Sequence, residues 1–112
     1  MREVPERFRR FGGRHPEVAE AYEKLAAACR QAGPLDERSQ ALVRLGVAVG
    51  AQVEGAVRSQ VRKALDLGLT PGEVRHAMLL SLPSIGCPRM MAALGWAEDL
   101  LDAPGGGGKG EA

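Results

Sequence analysis

Thr70-Pro71-Gly72-Glu73 stands between two apolar runs, VEGAVRSQVRKALDLG before it and VRHAMLLSL after it. A threonine followed three residues later by a glutamate is the pattern of a capping box, in which each side chain satisfies a backbone N–H that the first helical turn leaves unbonded. Pro71 adds a pre-set φ at a position that needs no N–H. One helix therefore ends near Gly68 and another begins within a few residues. A junction this short joins helices packed against each other and leaves no room for a strand between them.

Similar punctuation divides the rest of the chain. A short basic helix is expected from about Val4 to Phe11, ending at Gly12-Gly13. A second starts at Pro16, runs through VAEAYEKLAAACRQA and stops at Gly33-Pro34, with Val18, Tyr22, Leu25 and Cys29 in helical step. Cys29 reads as a packing residue. A third runs from Asp36 to Gly50, a fourth from Val53 to Gly68, and a fifth from the capping box to about Leu82. Pro83 to Pro88 reads as a loop, and a last helix reaches Leu101. Apolar residues make up 45% of the chain, yet there are only one Trp, one Tyr and two Phe, so Ala, Leu, Val and Met fill the core. That is the usage of helix-on-helix packing. The expectation is an all-α bundle of about five to six helices over residues 1–102, in a chain of 112 residues that holds one domain. The Gly-rich end, residues 103–112, reads as a flexible tail.

The same residues exclude several classes of function. The formal net charge is +1, and Arg2, Arg7, Arg9, Arg10 and Arg14 are interspersed with Glu3 and Glu6, so no nucleic-acid partner is expected. No stretch approaches the roughly 18 apolar residues of a membrane span, and the first residues carry no apolar leader. Cys29 and Cys87 form neither C-x-x-C nor a metal-ligand spacing. No membrane, metal or cofactor is implied, and a cytoplasmic protein with reduced thiols is expected.

On a wheel of the fourth helix, Val57, Val61, Ala64, Leu65 and Gly68 share a face, flanked by Ala56 and Leu67. Gln60 falls inside that apolar arc, between Leu67 and Val53, and Glu54 falls at its other edge. A buried amide without partners costs roughly 1–3 kcal/mol, so Gln60 either bonds within the core or lines a pocket. Glu54 and Arg58 are also spaced for a helix-surface ion pair, which would explain both without a site.

The run LDERSQALVRLGVAVGAQVEGAVRSQVRKALDLGLTPGEVRHAMLLSLPSIGCPRMMAALGWAEDLL resembles the carboxymuconolactone decarboxylase family, which includes the alkylhydroperoxidase D-like proteins. The resemblance is most specific at RKALDLGLTPGEVRHAMLL and at the Gly86-Cys87-Pro88 loop, and HPEVAEAYEKL is similar to the family's first helix. It implies an alkylhydroperoxidase D-like helical fold and a homo-oligomer, a trimer or a hexamer. The family's peroxidase branch carries C-x-x-C and then a histidine four residues on; those places are Val53, Ala56 and Gln60 here, and the branch's acidic residue falls on Ala41. Without a thiolate and a resolving thiol no disulfide cycle runs there. The decarboxylase branch keeps a proton-transferring histidine where Gln60 stands, and glutamine does not titrate. Relatives with E-G-A-V-H-S-H on this helix are matched by Glu54 through Gln60, with Arg58 and Gln60 in place of both imidazoles, so a metal site of that kind is lost.

The chemistry left to such a chain lies in few residues. Glu54 is the candidate catalytic base, if an apolar neighbourhood raises its pKa, with Arg58 and Gln60 as substrate-binding groups. Cys87 is a candidate redox residue at the start of the last helix, and His76 a secondary candidate set against an interface role. Three readings stay open: a small organic molecule bound between helices with lyase-type proton transfer, a non-catalytic binding or scaffold oligomer, and hydroperoxide reduction through Cys87.

Overall fold

The computed structural model describes residues 6–102. The proposed tail, Arg2, Glu3 and Val4, where the first helix was expected to begin, lie outside that range. Among the described residues every regular element is helical: α1 Glu6–Arg14, α2 Pro16–Gln31, α3 Glu37–Ala51, α4 Glu54–Asp66, α5 Pro71–Leu79, α6 Leu82–Ile85 and α7 Cys87–Asp102. The all-α expectation holds, with one element more than the punctuation suggested. The chain divides into two compact units, one up to Leu35 and one from Asp36 onward.

The first unit is a helical pair. Helix α1 runs through Gly12-Gly13, where an end was expected, and the chain breaks instead at His15, which has φ −133° and ψ 66°. Pro16 explains the shift, because a residue before proline is driven out of the helical region, whereas a glycine inside a helix costs only about 1 kcal/mol. Phe8 meets Tyr22 edge to face with ring centroids 6.4 Å apart, and Phe11 lies 5.1 Å from the His15 ring. No residue of α1 or α2 is buried, and Cys29, expected to pack, is exposed.

The second unit carries the core. Ala41, Leu45, Ala48 and Val49 of α3, Val57, Val61 and Ala64 of α4, Val74 and Met78 of α5, and Ala93, Ala97 and Leu101 of α7 are all buried together, at the three- and four-residue steps of single helix faces. Polar bonds report the directions of the helices. Gln52 donates its side-chain amide to the Arg89 carbonyl at 3.0 Å, and Arg58 donates to the Trp96 carbonyl at 2.7 Å, so α4 and α7 run parallel. Arg38 pairs with Glu73 at the starts of α3 and α5, and Arg75 in the middle of α5 pairs with Asp102 at the end of α7. Helices α3 and α5 therefore descend while α4 and α7 ascend.

The capping box is formed: Thr70 Oγ1 accepts from the Glu73 N–H at 3.1 Å, and Glu73 Oε1 accepts from the Thr70 N–H at 2.9 Å. The loop expected over Pro83–Pro88 is mostly helical. Helix α6 has its proline near its start, where a missing N–H costs nothing, and only Gly86, at φ 91° and ψ 159°, separates it from α7. No helix among the described residues is long and apolar enough to cross a membrane.

Candidate functional site

Helix α4 is held on both flanks, and the two flanks contain different chemistry. Residues two apart on a helix are about 200° apart around its axis, so Arg58 and Gln60 leave α4 in nearly opposite directions. Arg58 reaches α7, where its guanidinium forms a two-pronged pair with Asp99, at 2.7 and 3.1 Å, and donates to the Trp96 carbonyl. Gln60 faces α3, where its Oε1 accepts from Arg44 Nε at a long 3.4 Å. The structure thus places these two proposed binding residues on separate sides of one helix.

The Arg58 flank is closed electrostatically. The Arg58 side chain is mostly covered, and its hydrogen bonds to Asp99 raise its pKa above the ordinary arginine value, against the opposing effect of burial. The same bonds hold the Asp99 carboxyl below the usual range. The ion pair suggested by the spacing of Glu54 and Arg58 does not form; Asp99, forty-one residues further on, takes the guanidinium instead. A fork-to-fork pair satisfies two guanidinium donors at once, which the single approach of a carboxylate one helical turn away does not match. Glu54 acts on Arg58 only through its field. It lies exposed in the first turn of α4, without the apolar neighbourhood expected of a catalytic base.

The Gln60 flank is open. Val57, Val61 and Ala64 form the buried arc of α4, but Val53 is 53% exposed and Leu67 37% exposed. Gln60, expected in the middle of a buried face, is half-buried, and the two exposed apolar residues that share its side of the wheel stand two turns away in either direction. Its amide is oriented by chemistry: guanidinium has donors only, so the oxygen must face Arg44 and the NH2 must point away. Arg44 did not emerge from the sequence reading. Its signal was available, since it borders the Ala41, Leu45 and Ala48 arc of α3 with no acid at the positions three or four residues to either side.

The remaining candidates fall elsewhere. Cys87 is exposed and free at the first position of α7, and the Gln52 bond to Arg89 puts it at the same end of the bundle as the start of α4. His76 is exposed on α5. No group of three or more His, Cys, Asp or Glu side chains that could hold a metal occurs among the described residues.

The four-helix arrangement, the capping box before α5 and the Gly86 break before α7 sit inside a match to the carboxymuconolactone decarboxylase family model that spans residues 16–99. The chain belongs to that family. It is 32% identical over 90 residues to an uncharacterised protein of Methanocaldococcus jannaschii, covering 80% of this chain and 81% of the relative. No solved structure matches it significantly.

Proposed function

We propose that this carboxymuconolactone decarboxylase family protein binds a small organic molecule between helices, on the Gln60 side of α4, and that residue 60 holds the ligand without exchanging a proton with it. The observation that carries this reading is the placement of Gln60: a half-buried amide on the α3 side of α4, with its oxygen turned to Arg44 and its NH2 unspent. A small-molecule site needs a few polar groups placed to orient its ligand, and the Arg44–Gln60 pair supplies them. Glutamine supplies hydrogen bonds there but no acid or base.

Glu54 is the carboxylate of α4 that could take a proton, and lyase-type chemistry on a bound acid would use it as base. Its exposure, its place away from Gln60 around the helix, and the closure of Arg58 by Asp99 favour binding over turnover. Reading the site as degenerate follows from the same residues. The proposal extends to a homo-oligomer, a trimer or hexamer, and to the cytoplasm, where the exposed thiols of Cys29 and Cys87 stay reduced. A disulfide trapped by alkylation in freshly lysed cells would contradict that location.

The test is an NMR titration of wild type, Gln60→Leu and Gln60→His with a panel of small organic acids and their uncharged counterparts. Gln60→Leu should keep the fold with little loss of stability, because an apolar group of similar size takes a half-buried place. It should weaken binding. Gln60→His should make binding depend on pH near 6–7, the range of an ordinary imidazole. If no compound moves signals around residue 60 in any of the three proteins, the ligand reading fails and the scaffold reading replaces it.

A further inference from the structure

Among the arginines of the second unit, three are closed by carboxylates: Arg38 by Glu73, Arg58 by Asp99 and Arg75 by Asp102. Arg44 is not. It is half-buried beside the α3 core face, and its bond among the described residues is the one from Nε to Gln60 Oε1. A cation drawn partly out of water with no opposite charge beside it is an unfavourable arrangement unless an anion completes it.

The donors that remain are arranged for a particular shape of anion. With Nε engaged by Gln60, the Nη1–Nη2 edge of the guanidinium is left, and two parallel N–H groups on that edge match the two oxygens of a carboxylate. The Gln60 oxygen is turned to Arg44 and its NH2 faces away, so the guanidinium edge meets the charged head while the amide fixes how the guanidinium is turned. Val47, one turn along α3 from Arg44, is 66% exposed, which suits an organic body attached to the charged head. We infer that Arg44, and not Arg58, is the anion anchor of this protein, and that the Arg44–Gln60 pair recognises the carboxylate of a small organic acid. This rests on the ligand reading above and adds to it the residue and the chemical class.

The experiment uses benzoate and benzamide, which share an apolar ring and differ in the charged head, titrated into the full-length protein with 15N detection of the Arg44 Nε–H and Gln60 NH2 signals. Benzoate should shift both and bind at least about tenfold more tightly than benzamide, the expected weight of a charge-assisted pair. Arg44→Gln should lose that preference. Arg44→Lys, which keeps the charge but not the fork, should lose part of it. Arg58→Gln should retain it, as should Arg62→Gln, a change on the far side of α4 from Gln60. Asp99→Asn checks the Arg58 arm by freeing the guanidinium without removing it, and benzoate should still report on Arg44. Loss of benzoate binding in Arg58→Gln with none in Arg44→Gln would overturn the anchor assignment and leave the ligand site standing. Equal binding of benzoate and benzamide would overturn the carboxylate class. Failure of both to bind wild type would remove the ligand reading itself, and this inference with it.

Discussion

Arg58 and Gln60 show how much a two-residue separation decides on a helix. One spans to α7 and is consumed by Asp99, while the other meets Arg44 of α3 across a long contact and leaves donors unspent. Cys87 raises a separate question at the same scale. It is exposed at the first position of α7, and its own unit contains no second cysteine to resolve an oxidised thiol. Purified protein with a dithiol reductant should therefore not turn over organic hydroperoxides; rapid consumption abolished by Cys87→Ser would establish a single-thiol peroxidase. Gly86 gives a stability prediction. Its φ of 91° and ψ of 159° lie where essentially only glycine is found, although a Cβ there would meet nothing closer than Pro88 Cδ at 3.9 Å. Gly86→Ala should thus cost on the order of 1–3 kcal/mol through backbone strain rather than collision, read by chemical denaturation. A neutral result would mean that the α6–α7 link relaxes freely. The sequence made Gln60 and Glu54 visible because each is a polar group near an apolar arc. It hid the Arg58–Asp99 pair, whose partners become neighbours only through the packing of α4 on α7.

Helix starts account for most of the local order in the second unit. Asp36 caps α3 by accepting from the Ser39 N–H at 2.8 Å, and Glu73 closes the capping box of α5 while also receiving Arg38. The backbone N–H groups hold both carboxyls below their ordinary values of 3.8 and 4.5, and Arg58 does the same for Asp99. A carboxyl that ionises more easily when folded stabilises the fold above its unfolded pKa, and that stabilisation is lost as pH falls through the lowered folded value. The thermal midpoint should be level from neutrality to about pH 5 and should fall below about pH 4. All three groups are exposed, so solvent keeps the effect modest. A midpoint that rises on acidification below pH 4 would contradict the capping account. These starts were readable as patterns of residues, as was the stop of α2 at Gly33-Pro34. The run of α1 through Gly12-Gly13 was not, because glycine is only a weak breaker and the stronger restriction at His15-Pro16 took over. Helix α6 was missed for a related reason: two prolines flanking a short segment suggest a loop, yet each sits in the first turn of a helix.

Across the whole molecule, the second unit covers its core but not its surface. Val47 is 66% exposed and Leu80 63% exposed, with Val43, Leu79 and Met91 also open. Val74 and Met78 point inward from α5, while Leu79 at its end and the C-cap Leu80 stay exposed. A surface of this kind is expected to be covered in solution, and a family that assembles through its helices suggests copies of the same chain. Light scattering at micromolar concentration should give a mass of three or six chains, and Leu80→Glu with Val47→Glu should lower it. A monomer in wild type would rule out the oligomer. The central claim, however, concerns what the family's proton-transfer position has become. Arginine and glutamine do not change charge between about pH 5.5 and 8, whereas histidine and a thiol do. Calorimetric affinity for benzoate, measured across that range, should be flat if Arg44 and Gln60 make the site; a transition near pH 6–7, or one near the thiol pKa, would instead place His76 or Cys87 at the ligand and contradict the account.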